Sequence, residues 1–293
     1  MSQNPVLTAI KKQEWLKPLQ DKGSELVQKA FESAGPSGQA AKNALHGTWL
    51  GHPLHAAITD VPVGSWTVAA VLDLLEMSGS REYHAGADAA VMIGLAGAVP
   101  AALSGLTDWS AIHGKPQRVG ALHGLLNTGA AALYIASSIA RKADNRGLGR
   151  CLGFLGFGLV LASAYIGGEL SYEQKIGVNH APEPDNDLPE SYVEAIAASE
   201  LEEDKPMKAT VNGTPIFLLK QGTTIHALAN QCAHLGGPLS EGKLEGDSIV
   251  CPWHGSRFCV KTGNVEDGPA TMNQPVLDVK VENGKVLVKA RSS

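Results

Sequence analysis

Residues 231–258 read Gln231-Cys232-Ala233-His234-Leu235-Gly236-Gly237-Pro238, then Leu239 through Val250, then Cys251-Pro252-Trp253-His254-Gly255-Ser256-Arg257-Phe258. Two Cys and two His arrive as two short pairs, each followed by residues that favour a turn. Loops of this composition, facing each other, make a metal site. One occupant is a [2Fe–2S] cluster, with two thiolates on one iron and two neutral imidazoles on the other. A four-ligand zinc site draws on the same residue types, but it usually opens with a Cys pair two to four residues apart. Here the first pair is Cys-x-His. A disulfide between Cys232 and Cys251 would leave both histidines idle. The order Cys-x-His then Cys-x-x-His favours the iron–sulfur reading.

Gln231 to Phe258 closely resembles the Rieske iron–sulfur family, and the resemblance extends over roughly residues 191–290. It implies Cys232 and Cys251 on a buried iron and His234 and His254 on an outer iron at the tip of the domain. Mixed ligation raises the potential above that of an all-Cys cluster. Two departures from the high-potential Rieske proteins of cytochrome bc complexes lower the expectation again. Those proteins carry an extra Cys in each loop, joined as a disulfide, where this chain has Gly237 and Trp253. They place a Tyr hydroxyl near a ligand sulfur, where this chain has Phe258. Fewer donors to sulfur leave the reduced state less stabilised, although Ser256 keeps the position of their serine donor. The pattern resembles ferredoxin-type Rieske proteins, which exchange electrons with reductases and oxygenases.

The rest of the chain bounds the problem. At 293 residues there is room for about two domains. Net charge is −5 and no long basic stretch occurs, which argues against nucleic acid. Cys151 falls in an apolar stretch, where a buried thiol is expected, and Cys259 lies on an expected strand. No Gly-x-Gly-x-x-Gly follows a strand, and too few residues follow His254 for a mononuclear iron domain. An electron carrier is therefore expected rather than a stand-alone enzyme.

Four apolar stretches precede the cluster motif: Ala56–Met77, Ala87–Leu106, Val119–Ala140 and Cys151–Leu170. Each is long enough to cross a ~30 Å hydrocarbon core as a helix. Small residues recur every four positions at Ala90, Gly94, Ala98 and Ala102, and again at Gly120 with Gly124 and Gly149 with Gly153, which suits close helix packing in a membrane. Trp49, Trp66 and Trp109 near segment ends suit an interfacial belt. Gly51-His52-Pro53-Leu54-His55 through Gly64, Gly105-Leu106-Thr107-Asp108-Trp109, and Ala121-Leu122-His123 with Asn127 resemble an uncharacterised family of four-helix bacterial membrane proteins. The alternative is a soluble bundle of four buried helices.

Four crossings place both termini on one side, so His46, His52, His55, Asp108, His113, His123 and Glu169 are expected at the membrane face that carries the cluster domain. Ionisable side chains inside a membrane point to function by default. His123 and Asn127 share a helix face at i, i+4. The candidates for His52, His55, Asp108, His113, His123 and Asn127 are a b-type haem, a quinone site, or a polar network that orients the helices. Residues 1–45 carry a partly apolar stripe of Leu7, Ile10, Trp15, Leu16, Leu19, Leu26, Val27 and Phe31, as a helix lying on the membrane or on the protein would.

The expected architecture is multi-domain. A polar helical segment (1–45) leads to an all-α four-helix transmembrane bundle (46–176). A Pro-rich acidic linker (177–190), solvated and able to swing, leads to a small all-β antiparallel Rieske domain (191–293). The expected function is electron transfer by a [2Fe–2S] protein anchored in the lipid bilayer of the bacterial inner membrane, with a reductase, oxygenase or respiratory component as partner. The alternatives are a membrane redox enzyme with a quinol or haem site feeding the cluster, and a cluster-based redox sensor. Lys and Arg counts near the helix ends lean slightly toward an external cluster. The lysine-rich N-terminal segment and the lack of an export or twin-arginine signal favour the cytoplasmic side.

Overall fold

The computed structural model describes residues 5–79 and 81–291. The side chain of Leu7, assigned above to the N-terminal stripe, lies outside the described residues. Contacts divide the chain into two compact units: Met1–Gly38 with Pro53–Ile176, and Gln39–His52 with Gly177–Ser293.

In the first unit, short helices α1 (Pro5–Lys11) and α2 (Lys17–Ser33) precede α3 (Gly35–His46), which runs across the division. Then come α4 (Leu54–Ile58), α5 (Asp60–Met77), α6 (His84–Ser110), α7 (Gly114–Lys142) and α8 (Arg146–Gly168). Among the described residues four spans are long and apolar enough to cross a membrane: Leu54–Met77, Arg81–Ser110, Gly114–Lys142 and Arg146–Glu173. All but the first exceed the apolar stretches by several residues at both ends, because polar and charged turns continue the helices.

The interior of this unit is built on close approach. Trp66 stacks on Tyr134 with ring centroids 4.2 Å apart. A Cβ on Gly94 would come within 2.2 Å of the Trp66 indole, so only glycine fits there. Trp66 is thus a core residue and not an interfacial one. Tryptophan composition alone cannot separate the two roles, because both use a large amphipathic ring. Cys151 is exposed rather than buried. Gly149, Gly153 and Gly156 form the packed face of α8, and Cys151 lies off that face.

One end of the bundle is tied by ions. The Arg141 guanidinium grips Asp73 through both terminal nitrogens, with Nη1 donating to Oδ1 at 2.9 Å. It also reaches Asp88 at 3.1 Å. Arg146 bridges Asp88 and Glu76, while Arg150 and His84 also meet Glu76. Cations on α7 and α8 are thereby paired with carboxylates on α5 and α6, which locks the four helices in register. In the N-terminal segment, Ile10 and Leu16 bury against Val119, Ala121 and Ile166. Trp15 and Leu26 of the same expected stripe stay exposed.

The second unit is β. Strands β1 (Val193–Ala197), β2 (Met207–Val211), β3 (Thr214–Gln221), β4 (Thr224–Ala229), β5 (Lys243–Glu245), β6 (Ser248–Val250), β7 (Arg257–Cys259), β8 (Val265–Asp267), β9 (Val276–Glu282) and β10 (Lys285–Ala290) form two antiparallel sheets. Their orders are β1-β10-β9-β4-β3-β2 and β5-β6-β7-β8. Alternation explains how β3 serves two cores. Ile216 and Leu218 pack with Leu277, Val286 and Val288 on one face, and Phe217 and Leu219 pack with Ile249 and Phe258 on the other. That continuous apolar run marks a strand covered on both sides. Asn212-Gly213 and Asn283-Gly284 close hairpins with positive φ at both residues, as two-residue turns require.

The segment 177–190 differs from the solvated tether expected from its prolines and acids. Leu188 is buried in the β core, and Ala181 is buried as well. Backbone bonds run from His180 N–H to the Ala233 carbonyl (2.9 Å) and from Ala290 N–H to the Pro189 carbonyl (2.8 Å). The two apolar residues find sites on the domain, and the acids between them turn outward in a short helix, α9 (Pro184–Asp187). Residues 39–52 also pack with the β unit. Gln39 and Asn43 donate to Asp267, and buried His46 lies against Gly268.

Candidate metal centre

The two loops that carry Cys232/His234 and Cys251/His254 are built alike. In the first, Gly236 N–H donates to the Cys232 carbonyl (2.8 Å) and Cys232 N–H to the Gly237 carbonyl (2.9 Å). In the second, Gly255 N–H donates to the Cys251 carbonyl (3.1 Å) and Cys251 N–H to the Ser256 carbonyl (2.8 Å). Each turn closes through a glycine at positive φ, +80° at Gly236 and +78° at Gly255, a conformation that side chains with a Cβ seldom adopt. The loops leave β4 and β6, so both ladders anchor the site.

This geometry brings all four expected ligands together. The Cys232 and Cys251 thiols are buried and hydrogen-bonded to each other. The His234 and His254 rings stand edge to face with centroids 4.9 Å apart, half-buried at the rim. The thiol–thiol bond holds Cys251 down at about 7 and, together with burial, pushes Cys232 well above the usual thiol range. Backbone N–H groups of His234 and Leu235 point at the Cys232 sulfur, and those of Trp253 and His254 at the Cys251 sulfur. Such donors stabilise negative charge on sulfur. The donor set, two buried sulfurs inside and two imidazoles outside, suits a [2Fe–2S] cluster with split ligation.

The neighbouring residues occupy distinct positions. Ser256 is fully buried and its Oγ accepts from Ala270 N–H at 2.9 Å. Phe258 packs in the same cluster as both cysteines. At Gly237 a Cβ would lie 2.8 Å from the Cys251 sulfur and 3.0 Å from the Trp253 ring, so the loops meet where no side chain fits. Trp253 is 54% exposed. Cys259 lies on β7, half-buried, in line with a strand residue.

Gln274 was not singled out by its sequence context. It is 2% exposed, yet its Nε2 donates to the Ala229 and Gln231 carbonyls at 2.8 and 2.6 Å. Its Oε1 accepts from Ala233 N–H at 3.1 Å. The first ligand loop is thereby pinned on both sides of Cys232. A lone glutamine more than forty residues away carries no sequence signal of this role.

In the helical unit three of the singled-out residues meet. The His55 and His123 rings stand 6.1 Å apart and nearly perpendicular. The Asn127 amide lies 3.1 Å from His123 Nε2. Asp108 is half-buried in the last turn of α6, and exposed His113 precedes α7. His52 and His46 belong to the β unit.

Comparison with known proteins agrees with both halves. Residues 191–281 match the family described as Rieske [2Fe-2S] domain, and residues 51–180 match one described as Predicted membrane protein (DUF2231). The ferredoxin component of the naphthalene 1,2-dioxygenase system of Pseudomonas putida is 37% identical over 97 residues, 33% of this chain and 93% of that protein. Apoptosis-inducing factor 3 of Homo sapiens is 33% identical over 120 residues, which is 40% of this chain but only 19% of that protein's length. A solved chain from a complex of oxygenase and ferredoxin in carbazole 1,9a-dioxygenase aligns at TM-score 0.34 and 31% identity, covering 36% of this chain and 99% of that one. With two buried cysteines, two rim histidines and a ferredoxin relative matched over nearly its whole length, the chain belongs to the Rieske [2Fe–2S] family.

Proposed function

We propose that this chain is a membrane-anchored ferredoxin, in which Cys232, Cys251, His234 and His254 hold the [2Fe–2S] cluster and the helices of residues 53–176 hold it to the bilayer. Bound there, such a cluster takes up and gives back one electron. The protein supplies the rest. The buried thiolates and their N–H donors set the charge balance, and the half-exposed His rings provide the short path out. The observation that carries this reading is the convergence of the four side chains with sulfur inside and imidazole at the rim.

The partner is a redox protein, a reductase or an oxygenase, because the matched ferredoxin serves a dioxygenase system. The exposed Trp253 beside His254, ring centroids 6.3 Å apart, offers it an apolar contact at the exit. Phe258, which has no hydroxyl to offer a ligand sulfur, lowers the potential toward the range of ferredoxin-type clusters, and Ser256 pulls it the other way.

The membrane is the bacterial inner membrane and the cluster domain lies on its cytoplasmic side. Arg141, Arg146 and Arg150 weigh in the short-loop charge count against this placement. The lysines of the N-terminal segment, Lys11, Lys12, Lys17, Lys22 and Lys29, weigh for it.

Stopped-flow mixing tests the function. The full chain in bacterial-lipid vesicles is reduced with dithionite, freed of excess reductant, and mixed with ferric cytochrome c as a one-electron probe. One cytochrome c is expected to be reduced per cluster oxidised, and Trp253→Ala is expected to slow this transfer at least tenfold. A reduced cluster that passes no electron to cytochrome c contradicts the reading.

A further inference from the structure

We propose that Asn43 and His46 are positioning residues of the cluster site, a role that rests on Cys232, His234, Cys251 and His254 being the cluster ligands. The first observation is what the two residues hold. Residues 39–52 fold with the β unit, although 224 positions separate Asn43 from Asp267. Asn43 Nδ2 donates to the Asp267 carboxylate at 2.7 Å, and Asn43 Oδ1 accepts from Gly268 N–H at 3.0 Å. Gln39 Nε2 donates to Asn43 Oδ1 and Asp267 Oδ1 at 3.0 and 3.2 Å. His46 is fully buried, and a Cβ on Gly268 would come within 2.8 Å of its ring. Gly268 is thereby fixed twice, its N–H by an amide oxygen and its Cα by an imidazole.

The second observation is what Gly268 leads to. The β8 ladder ends at Asp267 and β9 begins at Val276, so loop contacts decide where the backbone between them runs. Its first four residues, 268–271, are buried. Ala270 N–H donates to Ser256 Oγ at 2.9 Å, and the Ser256 carbonyl accepts from Cys251 N–H at 2.8 Å. Four residues further on, Gln274 bonds the backbone of Ala229, Gln231 and Ala233 around Cys232. One segment therefore braces both ligand loops, and Asn43 and His46 hold its entry.

The third observation is the chemistry at the end of this chain of contacts. Ser256 is fully buried in the loop that carries Cys251 and His254. Its oxygen accepts from Ala270, so its own proton is left to donate. The Ala270 amide limits how that hydroxyl turns, because accepting along one direction leaves few directions for the proton. A donor held toward the ligands stabilises the reduced cluster more than one free to rotate away. Asn43 and His46 thus act on the potential through Gly268, Ala270 and Ser256. They lie ahead of the first membrane span, so a β domain cut from residue 191 onward would lack them.

The test uses the full chain in detergent. Asn43→Ala and His46→Ala are each expected to speed amide exchange across residues 266–274 at least tenfold, read by mass spectrometry, while β9 and β10 keep their protection. In the same samples the midpoint potential is expected to fall, and the cluster absorbance to bleach severalfold faster under ferrous chelator. Asn43→Asp with Asp267→Asn, which swaps the carboxylate and the amide across the contact, is expected to restore all three. If β9 and β10 lose protection the domain has unfolded, and the milder Gln39→Ala carries the same comparison at smaller amplitude. Unchanged exchange in these variants overturns the proposal. So does faster exchange with native potential and bleaching, which would make the helix a cover with no hold on the cluster. EPR of the dithionite-reduced native chain is scored separately. A chain without a cluster signal fails the ligand assignment, while the exchange comparison still shows whether Asn43 and His46 fix the segment, so the two readings fail independently.

Discussion

Replacing Gln274 with Met keeps the side-chain volume but removes every hydrogen bond that pins the first ligand loop. In the native domain that side chain accepts from Ala233 N–H and donates to the carbonyls of Ala229 and Gln231. It is buried, so water cannot replace it without opening the loop. A buried donor left without its acceptor costs roughly 1–3 kcal/mol. The two carbonyls add less, because each keeps a second lone pair for other partners. A total of about 2–4 kcal/mol falls on the segment that flanks Cys232. If metal release requires that segment to open, the release rate rises by about 30- to 1,000-fold at 1.4 kcal/mol per decade. The assay is bleaching of the visible cluster absorbance under an excess of ferrous chelator, with urea unfolding midpoints measured in parallel. Gln274→Glu keeps the acceptor but turns a buried carboxylate toward both carbonyls, so at neutral pH it is expected to bleach at least as fast as Gln274→Met. If Gln274→Met bleaches within about twofold of the native rate, loop 1 does not depend on this crosslink and the reasoning is wrong.

Other consequences follow from the same structure. Asp73→Asn removes the buried partner of Arg141, both 2% exposed, and leaves it only Asp88, so it should cost less than the about 3–5 kcal/mol of a fully stranded buried charge. Asp73→Leu with Arg141→Met should recover most of it in thermal melts in detergent; equal losses in both would show that the pair matters for more than charge. Phe258→Tyr places a hydroxyl in the cluster of residues around both cysteines. If it donates to sulfur, the potential rises by about 60 mV, one decade for a one-electron couple, and redox titration checks this. Glu266 accepts from Ser248 Oγ and Arg257 Nε, which hold its carboxyl below the usual 4.5, the Ser248 bond foremost. A lowered folded value contributes stability above pH ~4.5 that is lost as pH falls through it. Being partly exposed, it is worth under about 1 kcal/mol, so Glu266→Gln should flatten only the acid limb of urea midpoints between pH 3 and 6.

How much of this was legible in the residues depended on the kind of physics involved. The ligand loops were readable because cysteine and histidine carry their chemistry in their side chains, and because Gly236 and Gly255 mark the turns. The four long helices were readable because length and apolarity are local properties. What burial does with an apolar residue is not local. Trp66 turned inward and Cys151 outward because small residues, Gly94 on α6 and the glycines of α8, decide which face packs. The short strands β5 and β8 of the smaller sheet were not picked out, since three residues show no periodicity. The Pro-rich segment 177–190 read as a tether by composition, yet Ala181 and Leu188 dock it to the domain. Gln274 and Asn43 were invisible, because their roles exist only once distant strands or helices meet.

The central claim is that two cysteines and two histidines from two loops hold one [2Fe–2S] cluster. Electron paramagnetic resonance of the dithionite-reduced full chain, with nitrogen hyperfine coupling read on the same signal, tests it most directly. A Rieske-type spectrum coupled to two imidazole nitrogens is predicted, lost in Cys232→Ser and altered in His254→Cys. A silent sample with stoichiometric zinc, or a cluster signal with no nitrogen coupling, would contradict it.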